Sequence, residues 1–227
     1  MAKFFRTIFG ILLIPAALGV GQAFYSEIRE ISLFSGTLHI LERGVLAYLL
    51  LHVFLVKPIY LYVLGHESVH VLAAWLCGGH VVSFNVTPSG GNVETSKTNF
   101  FIELAPYFVP IYTLLSGVAY VVLRSLGREG PAVSAVFLFL IGFTLAFHFV
   151  MTTEVLKLKQ PDIMKSGIIF SSIIIFTLNL LVVILVFSPV FDLSLGGFFE
   201  GAYTNTAELY RKIYSKAVMI ANGELFW

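Results

Sequence analysis

Two histidines four residues apart, with a glutamate directly after the first, are the residues of this 227-residue chain whose types and spacing point to chemistry: His66-Glu67-Ser68-Val69-His70. Four residues is just over one helical turn, so on a helix His66 and His70 project from one face and can share one ion. Glu67 lies about 100° around the same helix, beside the position such an ion leaves open. Neutral imidazoles suit Zn²⁺, which lowers the pKa of a bound water to about 7. A carboxylate alongside can take the water's proton and deliver it to a leaving amine. The spacing therefore predicts a hydrolytic zinc centre with Glu67 as the base.

A catalytic zinc site with one open position needs a third protein ligand. Downstream, the donors are His148, Glu154 and Asp162, the last in Gln160-Pro161-Asp162. Two membrane crossings after the motif helix return the chain to its starting side, so all three lie on the face towards which the motif histidines lean. Along the helix His66 is about 16 Å from its end. His148 matches that depth directly, whereas Asp162 requires its segment to dip or the motif helix to be displaced. Geometry leaves the three open.

The elements that must position these residues are apolar. The chain is 58% hydrophobic and 12% charged, with 14 basic and 13 acidic side chains, against about 25% charge in ordinary soluble domains. That is too little charge for a polar shell, and it excludes a water-soluble globule. The net charge of +1 carries no clustered basic face, so nucleic acid is not an expected partner. Cys77, the single cysteine, reads as a small packing residue.

Runs of about 20 apolar residues predict membrane helices. Five occur: Ile8 to Tyr25, Gly44 to Cys77, Phe101 to Leu123, Pro131 to Thr152 and Ser166 to Phe187. The first also has the form of a secretory signal peptide; its length lets it span uncleaved. The second is too long for one simple crossing, and Lys57-Pro58 offers a bend. Between Gly78 and Asn99 the period changes to two, with His80 to Val86 as one strand, Pro88-Ser89-Gly90-Gly91 as a turn and Asn92 to Thr98 as a return strand. Asn205 with Glu208 resembles a capping box opening a C-terminal amphipathic helix that lies at the membrane interface. With the N-terminus inside, Lys3, Arg6, Lys97, Lys157, Lys159 and Lys165 fall inside and Arg29, Arg43, Arg124 and Arg128 outside.

The expected fold is thus an all-α polytopic membrane protein: about five transmembrane helices, a small β-hairpin after the motif helix and a C-terminal amphipathic helix. It reads as one integral membrane domain over 1–227, with an N-terminal helix and connection (1–43), a core (44–190) and a C-terminal segment (191–227).

From Gly65-His66-Glu67-Ser68-Val69-His70 through Gly78-Gly79, Gly90-Gly91-Asn92-Val93 and Ala105-Pro106, the chain resembles the site-2 protease-like family of intramembrane zinc metallopeptidases. The resemblance covers roughly residues 60–170. It implies membrane helices holding zinc below the membrane surface, His66, His70 and Asp162 as ligands, Glu67 as catalytic base, and a membrane-spanning protein or peptide as substrate in a multi-pass protein of the cell membrane. The late motif departs from the family pattern: Pro161-Asp162-Ile163 lacks the glycine that usually follows the aspartate.

Two other functions fit parts of the pattern. A catalytically silent relative acting as a membrane scaffold or regulator accords with the incomplete late motif, and a metal transporter would also place His and Asp in a membrane. For a protease, the hairpin has a purpose: a membrane helix must unwind before its carbonyls can be attacked, and a strand edge can pair with the unwound backbone. His80 to Val86 is the expected edge, with His80 itself read as a surface residue.

Overall fold

The computed structural model describes residues 2–55, 57–87, 89–158 and 160–222. Pro88, expected in the hairpin turn, and Lys159, counted in the charge balance, lie outside them. The described chain is mostly helical with one two-stranded antiparallel sheet. It forms two compact units, residues 32–166 and residues 1–31 with 167–227.

The 32–166 unit contains α2 (Gly36–Phe54), α3 (Ile59–Leu76), β1 (Val81–Thr87), β2 (Gly90–Thr95), α4 (Phe100–Leu104), a 3₁₀ turn (Ala105–Tyr107), α5 (Ile111–Ser125), α6 (Pro131–Leu156) and α7 (Pro161–Ser166). The apolar run Gly44 to Cys77 is not one bent crossing but two helices. Its first part belongs to α2, which starts eight residues earlier because Ser35 caps it, accepting from Leu38 N–H at 3.4 Å. The break falls beside Lys57-Pro58, where proline withholds a donor. Its second part is α3, which carries the motif.

α2 packs along α6 through glycine. A Cβ at Gly44 would sit 2.0 Å from the Phe139 carbonyl oxygen, and one at Gly142 would sit 2.0 Å from that of Leu41. Only glycine permits this approach of two backbones. A core of Tyr48, Tyr62, Ala146, Phe147 and Met151 then joins α2, α3 and α6.

The run Phe101 to Leu123 is likewise broken. α4 with its 3₁₀ turn meets α5 at 76°, across Pro106 and Pro110. In the hairpin, β1 and β2 pair with Asn85 opposite Asn92 and Thr87 opposite Gly90, and a bulge interrupts the ladder between Val81 and Ser83. Gly90 and Gly91 therefore belong to β2 rather than to the turn.

The other unit contains α1 (Ala2–Ile28), α8 (Ile168–Phe191) and α9 (Leu195–Ala221). α9 starts at Leu195, capped by Ser194, which accepts from Gly197 N–H at 2.9 Å. Asn205 and Glu208 are interior to the helix, so the expected capping box is not its start. α9 runs antiparallel along α1: Glu27 accepts from Ser194 N–H, Gly19 abuts Thr206, and Tyr210 donates to the Leu12 carbonyl at 2.5 Å. Ala23, Ile184, Leu193 and Phe198 form the core of this unit.

Among the described residues, α1 over Phe4–Ile28, α2, α6 and α8 are long and apolar enough to cross a membrane, and the bent α4–α5 pair makes a fifth if counted as one broken span. α3 is not in this group, since His66, Glu67 and His70 interrupt its apolar surface.

Candidate metal centre

α3 is held on several sides before any ion is considered. Tyr112 of α5 donates its hydroxyl to the Leu61 carbonyl at 2.6 Å, and Gly65 is pressed so near Tyr112 that a Cβ there would lie 2.8 Å from the ring. Below this contact the two motif rings meet edge to face, their centroids 5.0 Å apart. Tyr107 packs edge-on against His66 at 5.1 Å. The helical period thus puts the imidazoles together, and the aromatic collar keeps them there.

His66, His70 and Asp162 form a cluster in which one ligand atom from each lies within 4.8 Å of the others. His70 Nε2 is 3.6 Å from Asp162 Oδ2. Ligands of a tetrahedral zinc stand roughly 3.3 Å apart, given bonds of about 2.0–2.1 Å, so the His70–Asp162 pair is already close to that spacing.

The local hydrogen bonds select the donor atoms. His70 Nδ1–H donates to the Ile102 carbonyl at 2.8 Å. That carbonyl is free because the residue one turn on, which would normally donate to it, is Pro106. With Nδ1 so engaged, neutral His70 turns the lone pair of Nε2 towards a carboxylate, an arrangement that a cation between them satisfies. His66 Nδ1 is buried with no hydrogen-bond partner among the described residues, leaving Nε2 as the nitrogen for an ion. The donor set, two imidazoles and one carboxylate, is one that could hold a divalent metal ion.

Asp162 reaches the cluster because α7 packs on α4. Ser166 donates to Glu103 Oε2 at 2.5 Å, and Asn99 caps α4 by accepting from Ile102 N–H at 2.9 Å. Burial pushes the Asp162 carboxyl up, but in the metal-free site the positive charge of a protonated His70, helped by His66 and Lys165, outweighs it and holds the group below the usual carboxylate range. It is therefore an anion at neutral pH.

The other two donors considered from sequence stand elsewhere. Glu154 Oε1 accepts from Lys57 Nζ at 2.6 Å and lies 3.3 Å from His52 Nε2. His148 is buried, lines a small cavity with His66 and is not in the cluster. His80 is also outside it; its N–H donates to Ser96 Oγ.

Glu67 is buried at 8% exposure and lies at the junction of two cavities. A polar one of about 250 Å³ holds all three clustered donors with Asn92, Thr98 and Lys165. A mostly apolar one of about 610 Å³ is walled by Ile59, Val63, Met151, Val155 and Leu158, with Lys57 and Lys157 also present. Both are bordered by His66, Glu67, Gly91 and Gln160. Gly91 lies against the glutamate: a Cβ there would be 2.6 Å from Glu67 Cγ and 2.9 Å from Oε1.

The strand beside the donors is thus β2, through Gly91, Asn92, Val93 and Thr95, and not the expected His80 to Val86. β1 instead borders an apolar groove with Leu72 and Trp75. Tyr107 and Glu103, which brace or border the site, carry no motif that singles them out, and Gln160 is marked only as a neighbour of Asp162. Of these only the Pro106 next to Tyr107 left a readable signal, a missing donor one turn after Ile102.

No protein-family model, curated protein or solved structure matches the chain.

Proposed function

We propose that this chain is a multi-pass integral membrane zinc endopeptidase of the site-2 protease-like kind, hydrolysing peptide bonds in or next to membrane-spanning protein segments. The observation that carries the reading is the convergence of His66, His70 and Asp162 within 4.8 Å beside a buried glutamate, with four or five helices among the described residues fit to cross a bilayer. Three ionisable groups on one apolar helix are expensive in lipid and are kept where they do work.

A zinc ion held by these donors would supply Lewis acidity to water and to the scissile carbonyl. The remaining chemistry belongs to the chain. Glu67 takes the proton from water and passes it to the departing amine, the balance that peptide hydrolysis requires. Its burial keeps competing solvent away from the carboxylate. Asp162 stays ionised and holds His70 across the cluster.

The two cavities accord with a substrate that is apolar on one side of the cleaved bond and polar on the other. Between them, β2 offers backbone groups to an unwound segment, whose own carbonyls a helix would otherwise hide.

Zinc content and cleavage by purified protein test this directly. Wild-type protein is expected to hold one zinc per chain and cut a membrane-segment substrate, while Glu67→Gln keeps the zinc and loses cleavage. Zinc-free wild-type protein, or full cleavage by Glu67→Gln, defeats the proposal; the second result with zinc retained favours a scaffold whose metal is structural.

A further inference from the structure

His66 and His70 are supported unequally. A metal-binding histidine nearly always hands its second N–H to an acceptor, which sets its tautomer and orientation. His70 has the Ile102 carbonyl. His66 has none among the described residues, although its Nδ1 is enclosed, and a buried donor left unmet is destabilising.

A further, small cavity of about 20 Å³ is bordered by both His66 and His148. Its other walls are aliphatic, aromatic and proline residues from α3, α5, α6 and the Pro106–Pro110 turn, with Tyr62 and Tyr112 among them. A cavity needs roughly 10–15 Å³ to hold a water and two or more polar neighbours to keep it. The volume suits one molecule and no more. Two imidazoles, from α3 and α6, are among the polar groups on its wall, together with Tyr62, with Tyr112, whose hydroxyl donates to the Leu61 carbonyl at 2.6 Å, and with Thr144, whose hydroxyl donates to the Leu140 carbonyl at 2.6 Å.

We infer that one water fills this cavity, accepts the Nδ1–H of His66 and is anchored by His148, making His148 a positioning residue for the metal centre. The assignment rests on the zinc reading above, and it gives His148 a role other than ligand. α6 thereby takes part in the site through a hydrogen bond relayed to the ring that meets the ion.

The test uses full-length protein in detergent, titrated with zinc against a competing chelator and, separately, loaded with Co²⁺ for its visible spectrum. His148→Leu is expected to weaken zinc binding about 10- to 100-fold, to retain one ion per chain at saturation, and to shift the Co²⁺ bands. His148→Gln, which can still anchor a water, is expected to restore affinity to within about threefold of wild type and to restore the spectrum. Val109→Leu fills the cavity without altering either imidazole, and should weaken binding as His148→Leu does; it decides the matter if His148→Leu does not fold.

Unchanged affinity and spectrum in both His148→Leu and Val109→Leu overturn the inference. So does loss of the ion itself in His148→Gln, which would make His148 a direct ligand. Wild-type protein that takes up no ion in the same titration removes the zinc reading along with the inference, whereas the preceding outcomes leave that reading standing.

Discussion

Gly91→Ala isolates the contact between the hairpin and the base. The added Cβ would stand 2.6 Å from Glu67 Cγ, 2.8 Å from Val63 Cγ1 and 2.9 Å from Glu67 Oε1, where carbon atoms rest at about 3.5–4.0 Å. The deficit is about 1 Å. β2 is tied to β1, with Gly91 opposite Val86, so the Glu67 side chain is the softer partner and yields. A displacement of about 1 Å in a catalytic group costs about 10²-fold in rate, equivalent to about 2.7 kcal/mol of barrier. The expected outcome is a kcat reduced about 100-fold with KM little changed and zinc content equal to wild type, because none of the three donors is touched. Gly117→Ala, where nothing lies within 4 Å, is the control and should leave cleavage unaltered. Peptide cleavage followed by mass spectrometry, with zinc measured on the same samples, reads both quantities. Wild-type kcat in Gly91→Ala would refute the placement of Glu67 as the working base beneath β2.

Other substitutions separate the remaining contacts. Asp162→Ala should lose zinc, while Glu154→Ala, which breaks only the links to Lys57 and His52, should keep it; elemental analysis of the purified variants distinguishes them. Pro106→Ala supplies a backbone N–H that competes for the Ile102 carbonyl, so His70 loses part of its support and zinc affinity should fall about 10-fold, measured by chelator competition. Gly142→Ala forces a methyl towards the Leu41 carbonyl oxygen, 2.0 Å away in the present packing; the overpacking should cost about 1–3 kcal/mol, seen as a lowered thermal midpoint, and an unchanged midpoint would show that α2 and α6 separate freely.

How far the site can be read from the sequence depends on how local each relation is. The meeting of His66 with His70 follows from helical period alone, and the break near Lys57-Pro58 follows from the chemistry of proline. The hairpin is legible as a change of period, but not which strand borders the donors, because alternation specifies faces and not the neighbour across an edge. Asp162 could not be singled out from His148 and Glu154 by spacing. Its position depends on Glu103 and Ser166 joining α4 to α7, a contact between residues 63 positions apart with no periodic signature. The start of α9 differs from the expected one for a related reason: Asn205 and Glu208 have the right separation for a cap, but Ser194 supplies it eleven residues earlier, and antiparallel packing on α1 carries the helix through them.

The antiparallel course of α9 along α1 also bears on sidedness. Leu12 is matched with Tyr210 and Glu27 with Ser194, so the outermost turns of both helices, near Phe5 and near Val218, exit their unit at a common end. Reporter tags attached beyond either helix should consequently share one compartment. Tags found on opposite faces of a vesicle would mean that the pair separates when the protein inserts.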